Sequence, residues 1–124
     1  MVAAPEKQFT GIVPPVVTPF TEDNEVDVPS LERLLTILLD AGIHGVFALG
    51  STSETAMLSD AQRQQVIDVT VKTVAGKVPV IAGVIDTSTA TVIEHARRAK
   101  DAGVDGIVVT SPFYVRPGAA EIAE

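Results

Sequence analysis

Ala41-Gly42-Ile43-His44-Gly45-Val46-Phe47-Ala48-Leu49-Gly50-Ser51-Thr52-Ser53-Glu54 is the stretch whose reading decides the fold. Ala41-Gly42 stops a helix, because a glycine just past the last turn takes the left-handed conformation at little steric cost. Residues 45–49 then form a continuous apolar run, the pattern of a strand buried on both faces of a parallel sheet. The run opens directly into Gly50-Ser51-Thr52-Ser53-Glu54, two adjacent hydroxyls with a carboxylate close by. In parallel α/β folds the loops beyond the strand C-termini carry the chemistry, and an entering glycine lets a ligand approach the backbone. The pentapeptide is therefore a candidate site, although its composition also suits an ordinary polar turn.

The same helix-stop, strand-start design recurs at Ala75-Gly76-Lys77-Val78-Pro79-Val80 and at Ala102-Gly103-Val104-Asp105-Gly106-Ile107. Glycines 42, 76 and 103 are separated by roughly the 30 residues of a βα unit. Between them lie three amphipathic helices. Leu31, Leu34, Leu35, Leu38 and Leu39 make one apolar face after the start signal Pro29-Ser30. Ser59 and Gln62 have capping-box spacing ahead of Ile67, Thr70, Val71 and Val74. A third helix starts at 87–89 and presents Val92, Ile93, Ala96 and Ala99. Strands are expected at 12–18, 45–49, 78–82 and 106–110, and a fourth helix begins within 118–124 and is cut off. Pro14-Pro15 weakens the first strand, since proline cannot donate to a ladder. Strand alternating with helix means a parallel α/β fold.

Composition narrows the function. The 124 residues suffice for one domain (1–124, with 1–8 a loose tail), but a complete barrel of eight βα units takes about 250. Hydrophobic content of 46% without an apolar run of about 18 residues describes a globular chain with no membrane span. A net charge of −7 argues against nucleic acid and anionic membranes, which need clustered cations. Arg97-Arg98 and Lys100 fall near a helix end, where they complement the helix dipole. The absence of cysteine excludes disulfides, thiolate metal sites and a cysteine nucleophile, and fits a reducing cytoplasm. No His, Asp and Glu cluster has metal-ligand spacing, and neither a dinucleotide nor a P-loop motif is present, so no metal and no cofactor are expected.

Laying the strand ends side by side gathers Thr18, Ser51, Thr52, Ser111 and Tyr114 at one rim. Ser51, Thr52, Ser111 and Tyr114 are expected to converge on one pocket, where hydroxyls bind carboxylates and pass protons. Thr18 reads as a strand terminus. Glu54 reads as a first-turn carboxylate or an organiser of loop amides ahead of a general base. Asp86 reads equally as a helix N-cap or a ligand, while His44 and His95 read as structural or solvated.

Five motifs in order resemble the dihydrodipicolinate synthase / N-acetylneuraminate lyase family. They are Phe9-Thr10-Gly11-Ile12-Val13, Val17-Thr18-Pro19-Phe20, Gly50-Ser51-Thr52-Ser53-Glu54, Val78-Pro79-Val80-Ile81-Ala82-Gly83 and Ser111-Pro112-Phe113-Tyr114-Val115-Arg116-Pro117. The resemblance spans essentially the whole chain but only about the N-terminal half of a member. It implies a (β/α)8 TIM barrel, of which this chain supplies about the first four βα units. It also implies a lyase that condenses pyruvate with a small aldehyde through a lysine Schiff base. By the resemblance Ser51 and Thr52 hold the pyruvate carboxylate, Thr52 also passes protons, and Tyr114 reaches across an interface of the dimer or tetramer to complete a neighbour's relay. The Schiff-base lysine and a second tyrosine would lie beyond Glu124, so the 124 residues alone are expected to be inactive.

Departures from the family pattern bear on specificity. Ser51 leans toward the N-acetylneuraminate lyase-like and other 2-keto-3-deoxy sugar-acid aldolases and dehydratases, whereas Phe113-Tyr114-Val115-Arg116-Pro117 leans toward the synthases. Ser53 stands where the family usually has glycine, and would strain the loop if that position needs positive φ. Thr87, Thr91 and Phe113 occupy the positions that bind lysine in feedback-inhibited members, which implies no lysine inhibition. Two other readings compete. One is a non-catalytic half-barrel that assembles through its open strand edges. The other is a receiver-type flavodoxin-like domain, which lacks its acidic cluster here and needs a fifth strand.

Overall fold

The computed structural model describes residues 9–115 and 117–123. The expected loose tail, Arg116 and Glu124 lie outside the described residues. Chain order is α1 (Val28–Asp40), β1 (Val46–Ala48), α2 (Asp60–Val74), β2 (Val80–Gly83), α3 (Thr89–Ala102), β3 (Gly106–Val108) and α4 (Ala119–Ala123). Two 310 turns, Ser51–Ser53 and Thr55–Met57, link β1 to α2. The sheet is parallel in the order β1-β2-β3, with Val46 opposite Val80 and Ile81 opposite Gly106. No helix among the described residues is long and apolar enough to cross a membrane.

The first expected strand is present in position but not as a regular strand. Segment 12–18 runs parallel to β1, with Phe47 N–H donating to Pro14 O and Val16 N–H to Phe47 O. Only the Pro15–Phe47 pairing registers as a bridge, because two consecutive prolines leave no N–H to extend the ladder. Strand 45–49 shortens at its C-terminal end because Leu49 turns to φ 56, which breaks the pleat. Strands 78–82 and 106–110 become Val80–Gly83 and Gly106–Val108.

Burial on both faces is corrected. Val46, Ala48, Val80 and Ala82 face the helices and are buried, whereas Phe47 and Ile81 point the other way and are only half-buried. No layer among the described residues covers that second face. The core lies between the sheet and its helices, built on Leu31, Leu35, Val66, Ile67 and Val74. At roughly 1.5–3 kcal/mol for each large buried aliphatic side chain, it is what holds α1 and α2 to the strands.

Local signals set most helix ends. The Ser59–Gln62 capping box forms in both directions. Asp27 rather than Pro29-Ser30 caps α1, its side chain accepting from the Ser30 amide and hydroxyl. Those two bonds hold the Asp27 carboxyl below its ordinary value. Ser88 caps α3, so Asp86 is not the cap. The inward face of α3 carries His95 and Ala99, with Val92 and Ala96 partly buried, and Ile93 is exposed.

Candidate active site

The loop after β1 is pinned from below. Ser53 is fully buried, its hydroxyl donating to Val16 O at 2.5 Å, while the buried Thr18 hydroxyl donates to Ser53 O at 2.9 Å. Ser53 does not take positive φ; Glu54 does, at φ 56. The condition under which Ser53 would strain the loop is therefore not met, and its side chain ties the loop to segment 12–18. Thr18 is not merely a strand terminus, since it holds the floor of this loop.

Pinning Ser53 inward leaves Ser51 and Thr52 exposed on the outer side of the turn. Their amides are the first of a helical turn, the positions that have no intrahelical acceptor. Beside them lies an open cleft of about 440 Å³, lined on one side by Ser51, Glu54, Thr55, Ala56 and Met57 and on the other by Ile85, Thr110 and Phe113. It sits at the C-terminal rim of the parallel strands. Glu54 reaches this cleft instead of opening α2. The Thr55 hydroxyl is buried against it, with no hydrogen-bond partner among the described residues.

Convergence of the four hydroxyl residues is only partial. Ser51 lines the cleft and Thr52 is its exposed neighbour, but neither Ser111 nor Tyr114 lines it. Ser111 borders a second cavity of about 370 Å³ with Thr89, Pro112 and Pro117. Tyr114 is 97% exposed and held at φ 79, unusual for a bulky residue. Two backbone features at this rim escaped the sequence reading. Leu49 is fully buried at positive φ immediately before the loop, a strained conformation of the kind that clusters at functional sites. Gly83 ends β2 so close to it that a Cβ there would lie 2.0 Å from Leu49 O. The only sequence signal for this contact is a glycine terminating an apolar run.

A trio of ionisable residues was read only in part. His44 is structural, its Nδ1 accepting from the Ile12 amide. His95 is buried and meets Asp86 Oδ2 at 3.1 Å, with Arg63 Nη2 3.5 Å from the same oxygen. Burial pushes the Asp86 carboxyl up, but hydrogen bonds from the Thr87 amide, His95 and the Thr87 hydroxyl, with the Arg63 charge, outweigh it and leave it below its ordinary value.

Parallel βα units with an open cleft at the strand C-termini match one side of a (β/α)8 barrel. The chain belongs to the dihydrodipicolinate synthetase family, whose model matches residues 8–124. It is 44% identical over 111 residues to the 4-hydroxy-tetrahydrodipicolinate synthase of Methanosphaerula palustris, covering 88% of this chain and 38% of that protein. Among solved structures it is similar to YagE, a dihydrodipicolinic acid synthase family prophage protein from E. coli K12 in complex with pyruvate. The TM-score there is 0.88 at 38% identity, covering 92% of this chain and 38% of that one. The N-acetylneuraminate lyase from Mycoplasma synoviae gives a TM-score of 0.86 at 28% identity, covering 92% and 40%. The chain therefore spans about two-fifths of the length of these relatives.

Proposed function

We propose that this chain carries the carboxylate-binding, proton-relaying part of a pyruvate-dependent lyase that joins pyruvate to a small aldehyde. The observation that carries the reading is the pinned Gly50–Glu54 loop. Ser53 and Thr18 fix its floor, Ser51 lines the cleft and Thr52 is exposed beside it, their leading amides opening a helical turn. A carboxylate seated there accepts from several N–H and O–H donors at once, and hydrogen bonds to charged groups are worth about 1.5–3 kcal/mol each. Thr52 is also the proposed proton carrier. Tyr114, exposed and conformationally constrained, is proposed to act in the relay of a neighbouring copy in a dimer or tetramer.

The chemistry needs an amine to condense with the keto carbon of pyruvate. Water leaves, a methyl proton is lost, and the resulting enamine attacks the aldehyde carbon. Lys72, Lys77 and Lys100 are all exposed, on α2, in the turn before β2 and on α3, and none of them lines the cleft. The same site run in the other direction on a sugar acid is the second reading, favoured by Ser51 and by the structural likeness to the N-acetylneuraminate lyase. The cysteine-free composition supports a cytoplasmic setting.

Titrating the 15N-labelled protein with pyruvate tests the proposal. Saturable shifts of the Gly50, Ser51 and Thr52 amides are expected, with binding weakened about tenfold by Ser51→Ala or Thr52→Val. Shifts confined to other surfaces, or unaffected by both substitutions, would overturn it.

A further inference from the structure

Behind the Ile85 side of the cleft, three ionisable side chains from three elements meet. Arg63 comes from the start of α2, Asp86 from just past β2 and His95 from the middle of α3. Arg63 and His95 are each only 7% exposed, a position that apolar residues ordinarily fill. Stability alone does not account for the choice. Buried ion pairs are often no better than apolar packing, and the Arg63 Nε is buried with no hydrogen-bond partner among the described residues.

What the trio holds is the Ile85–Asp86 peptide, from both sides. Arg63 Nη1 donates to Ile85 O at 2.9 Å, and Arg63 Nη2 lies 3.5 Å from Asp86 Oδ2. From α3, His95 Nε2 meets that same oxygen at 3.1 Å, while Asp86 Oδ1 accepts from the Thr87 amide at 2.6 Å. Ile85 is one wall of the cleft, and the facing wall, Thr55–Met57, runs directly into the helix that supplies Arg63. The two walls are thus linked through one arginine and one carboxylate.

We infer that Arg63, Asp86 and His95 form a clamp that sets the width of the cleft, with Asp86 and His95 acting as positioning residues for whatever is bound between Ile85 and the Ser51 loop. That the bound molecule is pyruvate rests on the function proposed above; the clamp itself does not. Neither residue is itself part of the cleft lining, so their effect passes through Ile85, the neighbour of Asp86 in the chain.

The test compares His95→Leu, His95→Gln and Asp86→Asn with Arg98→Gln, which breaks an exposed pair between the same helices, Arg98 to Asp60. Three quantities are read: the Ile85 δ-methyl resonance, the pyruvate dissociation constant and the urea midpoint. His95→Leu and Asp86→Asn are expected to move the Ile85 methyl and weaken pyruvate about fivefold, the effect of one hydrogen bond. His95→Gln keeps an N–H donor at similar reach and is expected to restore both within about twofold, while Arg98→Gln changes neither. An unmoved Ile85 methyl in His95→Leu, with only the urea midpoint lowered, would overturn the clamp. If the unaltered protein shows no saturable pyruvate binding, the pyruvate reading fails and the methyl resonance still decides the clamp.

Discussion

Replacing Gly83 by alanine is the sharpest perturbation of the rim, because the structure leaves its methyl group nowhere to go. A Cβ at this position would sit 2.0 Å from Leu49 O and 2.7 Å from Leu49 C, both backbone atoms. Real Cβ contacts essentially never fall below 3.0 Å, so the ends of β1 and β2 would have to part by about 1 Å. Neither side has slack. Leu49 is buried and already at φ 56, and a Cβ on the adjoining Gly50 would meet the Phe47 ring at 2.8 Å. Overpacking a filled core costs about 1–3 kcal/mol, and a clash against backbone belongs at the upper end. Taking ~3 kcal/mol, and ~4 °C per kcal/mol for a chain of this size, Gly83→Ala should lower the Tm by roughly 12 °C. Differential scanning calorimetry measures this, and near-UV circular dichroism checks that the variant still folds. A Tm within about 2–3 °C of the unaltered protein, under 1 kcal/mol by the same conversion, would refute the close approach.

Ser53→Gly should destabilise the protein by about 2 kcal/mol in urea titration. It deletes the buried bond to Val16 O and adds glycine entropy; a stabilising outcome would mean that Ser53 is strained after all. Asp86→Asn should carry a pH-dependent cost. The folded carboxyl titrates below its unfolded value, so its stabilisation is complete above about pH 4 and disappears as pH falls through the folded pKa. Thermal melts from pH 7 to pH 2.5 should therefore show variant and parent converging in acid, and a gap that widens in acid would contradict the sign. Incubating the 124 residues with pyruvate and borohydride should leave the intact mass unchanged, because the described lysines are exposed on helices or at the opposite rim; a trapped adduct on Lys72, Lys77 or Lys100 would count against this.

Features written in local sequence were legible. Helix stops at Gly42, Gly76 and Gly103 all have φ between 75 and 89, and the Ser59–Gln62 box is where its spacing puts it. The parallel sheet followed from continuous apolar runs. Legibility ended where a contact joins residues far apart in sequence. Nothing near Ser53 announces that its hydroxyl turns inward to Val16, 37 residues earlier. Arg63, Asp86 and His95 likewise meet only because α2 and α3 lie against the end of β2. Pro14-Pro15 was correctly seen as a disturbance, but that backbone bonds to β1 would survive on either side of it required the structure. The expected gathering of Ser51, Thr52, Ser111 and Tyr114 failed in part for a simple reason. Being at the same rim fixes height, not direction, and the chain beyond β3 turns Tyr114 outward.

The most direct test of the carboxylate site is a crystal structure of the protein soaked in pyruvate. We expect the pyruvate carboxylate within about 2.7–3.2 Å of donors on Ser51 and Thr52, with its keto carbon facing the cleft between Met57 and Ile85. Pyruvate bound elsewhere at full occupancy, with the Gly50–Glu54 loop empty, would contradict the account.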